Sequence, residues 1–136
     1  MDFKENNKPI YLQIAERISD SIMAGEYPPE SRIPSVREYA ALVQVNANTV
    51  MRSYLYLSDR GIIYNKRGIG FFIAADAKER IRKPRTEIFF NDEVKYFFSR
   101  LQVMGIPPVT LAELYAQYLA TGEISVEIKD EEPNQQ

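Results

Sequence analysis

Between Ile33 and Gly70 the chain sets out, in order, a capped helix, a short joint, a second capped helix and a glycine-tipped pair of β-prone runs. Ser35-Val36-Arg37-Glu38 is a Ser-x-x-Glu capping box, in which hydroxyl and carboxylate each satisfy an amide that a first helical turn leaves without a partner. Val36, Tyr39, Ala40 and Val43 follow at helical spacing. Gln44-Val45 is the joint. Asn46 is a good N-cap for the next helix, whose inward stripe is Val50, Tyr54 and Leu57 and which Gly61 stops. Ile62 to Asn65 and Phe71 to Ala74 then flank Lys66-Arg67-Gly68-Ile69-Gly70, which predicts a hairpin. Two helices joined by a tight turn and followed by a small hairpin make a winged helix-turn-helix, a unit that presents the start of its second helix outward.

The rest of the chain supplies a scaffold and an arm. Ile10, Ile14, Ile18 and Ile22 recur at every fourth position and predict one apolar stripe on a helix that Pro9 opens and Gly25 ends. Tyr27-Pro28-Pro29-Glu30-Ser31 reads as a loop. Asp76 to Arg85 is charged and helix-permissive until Pro84, and reads as a connector. Val94, Phe97, Phe98, Leu101 and Met104 form a second apolar stripe that Gly105-Ile106-Pro107-Pro108 terminates. Thr110-x-x-Glu113 is another capping box, followed by Leu111, Leu114, Tyr115, Tyr118 and Leu119. Two short amphipathic helices cannot enclose a core between them, so their apolar faces need a partner surface, most economically a second copy of the chain. The expected fold is mainly α with a small β-hairpin: a winged helix-turn-helix over residues 1–75, a helical connector and two-helix dimerisation arm over 76–128, and a disordered acidic tail over 129–136.

Composition removes whole classes of chemistry. Among 136 residues there is no cysteine and no histidine. Disulfides, thiolate metal sites and Ser-His or Cys-His catalysis are therefore excluded, and a reducing cytoplasm suits the chain. Nothing at its start resembles a secretory signal, and no apolar run approaches membrane-spanning length. The net charge of −2 is unevenly spread. Residues 1–75 carry nine Lys/Arg against eight Asp/Glu, residues 76–90 five against three, and residues 91–136 three against eight. Phosphate contact depends on the local balance, which is mildly basic where the winged unit lies.

Side chains near the start of a second helix of this kind read base edges, while neighbouring groups hold phosphates. Asn46, Asn48, Thr49 and Arg52 occupy that stretch. Asn48 has the paired donor and acceptor that match an adenine edge, and Arg52, one turn on, suits guanine or the backbone. Arg37, on the preceding helix, suits a phosphate, and Ser35 both caps that helix and stands at its anion-attracting end. Lys66 and Arg67 beside Gly68 suit a narrow, electronegative minor groove. Asn46 by itself is explained as a cap, and lone arginines are ordinarily solvated; the surrounding motif is what raises them to candidates. Gly68-x-Gly70 is not a dinucleotide fingerprint, because Ile73 stands where the third glycine belongs. No carboxylate pair looks catalytic, and Asp130-Glu131-Glu132 lacks the alternation of a calcium loop. No enzyme, metal or cofactor is expected.

These residues resemble the GntR family of bacterial transcription regulators. Pro9-Ile10-Tyr11-x-Gln13-Ile14, Gly25, Ile33-Pro34-Ser35-x-Arg37-x-x-Ala40, Val45-Asn46-x-Asn48-Thr49-Val50, Tyr54-x-x-Leu57, Gly61-Ile62-Ile63 and Gly68-x-Gly70-x-Phe72-Ile73 match the family pattern in order and spacing over residues 9 to 74. The opening motif and short helical tail look like the YtrA subfamily. The resemblance implies a cytoplasmic, double-stranded-DNA-binding homodimer that represses from an inverted-repeat operator. It implies DNA contact by Ser35, Arg37, Asn48, Thr49 and the wing around Gly68, and dimerisation through the short C-terminal region, where Val94, Phe97, Phe98, Leu101, Leu114, Tyr115 and Tyr118 form the apolar stripes. Three positions depart from the pattern: Glu30 replaces a usual glycine, and Ala47 and Met51 stand where many members carry arginine or another polar residue. The competing reading is a winged-helix protein-interaction module without sequence-specific DNA binding. An unidentified small-molecule effector would find its seat among Phe97, Phe98, Tyr115 and Tyr118, a stripe better read as the dimer core.

Overall fold

The computed structural model describes residues 7–126, and the acidic tail expected over 129–136 lies outside them. The chain divides into two compact units between Ile88 and Phe89. In the first, α1 (Ile10–Met23), α2 (Val36–Val43) and α3 (Ala47–Asp59) pack with the hairpin β1 (Ile63–Lys66) and β2 (Gly70–Ile73) and with α4 (Ala77–Ile88). One apolar core joins them. Ile14, Ile18 and Ile22 of α1 are buried against Tyr39 and Val43 of α2, Val50, Tyr54 and Leu57 of α3, Ile63 and Ile73 of the hairpin, and Ala77 and Ile81 of α4. The predicted α1 stripe thus faces inward, except that Ile10 at its end is exposed.

The local signals place the helix ends. The Ser35 hydroxyl accepts from the Glu38 amide at 3.1 Å, and the Asn46 side-chain oxygen accepts from the Asn48 amide at 2.8 Å. Gln44 turns the chain between α2 and α3 at φ 57°. A side chain in that left-handed conformation costs about 1–2 kcal/mol, and glycine gives back part of the gain through its looser unfolded chain. Gln44→Gly is therefore expected to stabilise the unit by about 0.5–1 kcal/mol, read as a higher urea midpoint with an unchanged slope.

Antiparallel pairing runs Ile63↔Ile73 to Lys66↔Gly70, one residue nearer the turn than the sequence predicts. The segment expected to be plain loop also joins this sheet. The Ile33 amide donates to the Phe71 carbonyl, the Ile73 amide to that of Ser31, and the Glu30 amide to that of Ile73, each at 2.9–3.0 Å. Glu30 sits at φ 65° where the resemblance expects glycine. Its carboxylate accepts from the Tyr64 hydroxyl at 2.6 Å, a bond that with the amide offsets the strained backbone. That neighbouring carboxylate also raises the Tyr64 pKa.

Two expectations need correction. The helix over the charged connector does not stop before Pro84 but continues to Ile88. Proline costs it one backbone bond, yet the flanks are fixed: Ile81 is buried, and the Arg85 guanidinium meets Asp20 of α1 at 2.9 Å. Thr110 is not an N-cap. The last helix starts at Pro108, with Pro107 before it and no side-chain cap, because a proline at the first helical position has its φ preset and needs no amide partner.

The second unit holds a π-helical turn (Phe89–Val94), α5 (Lys95–Val103) and α6 (Pro108–Thr121). No described residue in it is buried. Val94, Leu101 and Leu114 are half-buried, while Phe97, Phe98, Tyr115 and Tyr118 stand 45–61% exposed. A depression in this unit is lined by Ser99, Arg100, Val103 and Met104.

Candidate nucleic-acid interface

Helix α3 has an inner and an outer face. Val50, Ser53, Tyr54 and Leu57 are buried, while Ala47, Asn48, Met51, Arg52 and Leu55 are exposed and Thr49 is half-buried. Buried Ser53 donates to the Tyr11 carbonyl at 2.7 Å, tying α3 to the first turn of α1. Tyr54, fully buried, donates to the Pro34 carbonyl at 2.6 Å, and its ring meets Tyr39 and Phe71. Burial first, then neighbouring ionisable groups, raises the Tyr54 pKa far above its usual 10.0. These ties hold α3 against both α1 and the residue preceding Ser35.

Arg52 is not loose in solvent. Its guanidinium lies 3.9 Å over the centre of the Tyr11 ring, and Tyr11 in turn meets Tyr56 edge to face at 6.1 Å. A stacked guanidinium keeps its in-plane donors, so the stack orients the charge without neutralising it. Asn48, Thr49 and Arg52 line one shallow depression with Pro9, Ile10 and Tyr11. The sequence reading placed the first three together but missed Tyr11, since nothing local ties position 11 to position 52. The motif containing Tyr11 was the one available signal.

Other candidates lie on separate elements. Ser35 is half-buried at the α2 N-cap, and Arg37 is exposed in the first turn. Asn46 is engaged as a cap, as its simplest reading implies. Lys66, Arg67 and Gly68 are exposed at the hairpin tip, where Gly68 has φ 80° and the Ile69 amide closes the turn on the Lys66 carbonyl at 2.9 Å. The Lys66 ammonium lies 4.3 Å from the Phe72 ring centre, so the wing's aromatic face props up its cation. Among the described residues no cluster of acidic groups could hold a metal, and no helix is long and apolar enough to cross a membrane.

A tri-helical core with an outward helix start and a cationic hairpin defines the winged helix-turn-helix class of DNA-binding proteins. The family model for bacterial regulatory proteins of the gntR family matches residues 10–73. A crystal structure of a GntR-family transcriptional regulator from Bacteroides thetaiotaomicron is 50% identical, with a TM-score of 0.74 over 85% of this chain and 100% of that one. The repressor YtrA of Bacillus subtilis is 29% identical over 95% of this chain and 94% of its own length. The regulator YhcF of the same organism is 43% identical over 54% of this chain, a match that spans 61% of its own length. The chain belongs to the GntR family, in a YtrA-like form: it is a DNA-binding transcriptional regulator and not an enzyme.

Proposed function

We propose that this protein is a cytoplasmic repressor that binds an inverted-repeat operator as a homodimer, one α3 in the major groove of each half-site. The observation that carries this reading is the exposed start of α3, which presents Asn48 and Arg52 outward and is held from behind by Ser53 and Tyr54. In this reading Asn48 pairs with an adenine edge, while Thr49 and Arg52 meet bases or backbone from the same depression. Arg37 and Ser35 hold phosphates. The Ser35 oxygen is committed to the Glu38 amide as acceptor, but its O–H can still donate. Lys66, Arg67 and Gly68 enter the minor groove. Dimerisation falls to the second unit, where none of the described apolar side chains is buried.

Fluorescence anisotropy with duplex DNA from upstream of the protein's own gene tests this reading, at two salt concentrations and with a scrambled duplex as control. Tight, salt-sensitive preference for the upstream duplex is expected. Arg37→Ala should weaken binding to every sequence and lower the salt slope by about one. Asn48→Ala should relax selectivity at one base pair, by about 1–3 kcal/mol. Wild-type behaviour of both variants would remove the assigned reading surface. Binding without sequence preference or salt dependence would favour a protein-docking role.

A further inference from the structure

The outer face of α3 carries two parallel rows of different chemistry. Asn48 and Arg52, four residues apart, form the polar row, and Arg52 is drawn towards α1 by its stack on Tyr11. Beside it, Ala47, Met51 and Leu55 recur at the same spacing and form an apolar row. Met51 is 40% and Leu55 53% exposed, and neither belongs to the core. Its side chains hold no donor, no charge and, at the Met51 thioether, only a weak acceptor, so the row is poorly suited to discriminate guanine or cytosine by hydrogen bonding. One group in the major groove is apolar: the 5-methyl of thymine.

Resting on the DNA-reading role given to α3 above, we propose that Ala47 and Met51 read thymine methyl groups, next to the adenine taken by Asn48. Each half-site then carries A·T pairs where the first two turns of α3 lie, in place of the guanines that arginines at these two positions would select. Leu55, a turn further on, flanks the Met51 contact and shields it from water. Met51 supplies an unbranched, adaptable side chain that can cover a methyl without demanding one fixed rotamer.

The test uses the full chain and duplexes selected with it from a random-sequence library. Binding of the best selected duplex is compared with versions in which single thymines are replaced by deoxyuridine, which removes only the methyl. At one or two positions per half-site the loss should be about fourfold, the equivalent of about 0.8 kcal/mol for one buried carbon. Met51→Ala, a substitution on an exposed helical surface, should weaken binding to the thymine duplex and abolish the thymine–uracil difference at its position. Selective binding that is indifferent to every methyl would overturn the assignment while leaving DNA recognition by α3 intact. Methyl sensitivity that survives in Met51→Ala would overturn the role of that residue. Failure to enrich any sequence would overturn the DNA-reading proposal along with this one.

Discussion

Tyr54→Ala is expected to unfold the first unit at moderate temperature and to abolish DNA binding with it. Tyr54 is fully buried, and its ring packs between Tyr39 and Phe71. Removing an aromatic side chain from such a site costs about 3–5 kcal/mol, because the surrounding structure collapses only partly into the space. Small domains have about 5–15 kcal/mol in total, so the melting temperature should fall by more than about 10 °C. Tyr54→Phe separates the two roles of the residue. It keeps the ring but leaves the Pro34 carbonyl without its 2.6 Å donor, a loss of about 1–2 kcal/mol. The same pair of proteins gives a pH signature. Tyr54 and Tyr39 both have raised pKa values, chiefly through burial, so the folded state keeps their hydroxyls neutral. Their contribution is complete below the unfolded value of 10.0 and is lost as pH rises above it. Stability measured by urea denaturation should therefore fall as pH rises above about 10, and less steeply in Tyr54→Phe than in the wild type. An equal slope in the two proteins would show that Tyr54 ionises freely and that its burial is not what resists alkali.

The second large effect concerns the arm. Phe97→Glu places a carboxylate on a side chain that is 45% exposed in the single chain and that dimerisation would cover. The solution mass, measured by sedimentation, should fall from dimer to monomer with the far-ultraviolet circular dichroism unchanged. Operator affinity should drop by about 10²–10⁴, since each half-site must then be bound without the help of its tethered neighbour. A variant that stays dimeric, or a monomer that binds as well as wild type, would displace the dimer from this arm or from the mechanism.

The parts of this protein that were legible in the sequence are those whose cause is local. Ser35 and Asn46 cap their helices through amides two and three residues on, so spacing alone located α2 and α3. The isoleucine period of α1 showed which face would be inside, since a helix surface repeats on the same scale as the chain. Local rules can also compete. Thr110-x-x-Glu113 and Pro107-Pro108 both announce a helix start, and the proline prevailed. What only the tertiary structure decided are relations between distant residues. Arg52 acquires an orientation from Tyr11, Tyr54 a partner in Pro34, and Glu30 a reason for its left-handed backbone in Tyr64 and Ile73. The continuation of α4 past Pro84 depends on the grip of Ile81 and Arg85 on the rest of the first unit. Short-range hydrogen bonds and periodicity determine which elements form. The contacts that position α3 and its Arg52 arise only once those elements pack, and no spacing along the chain encodes them.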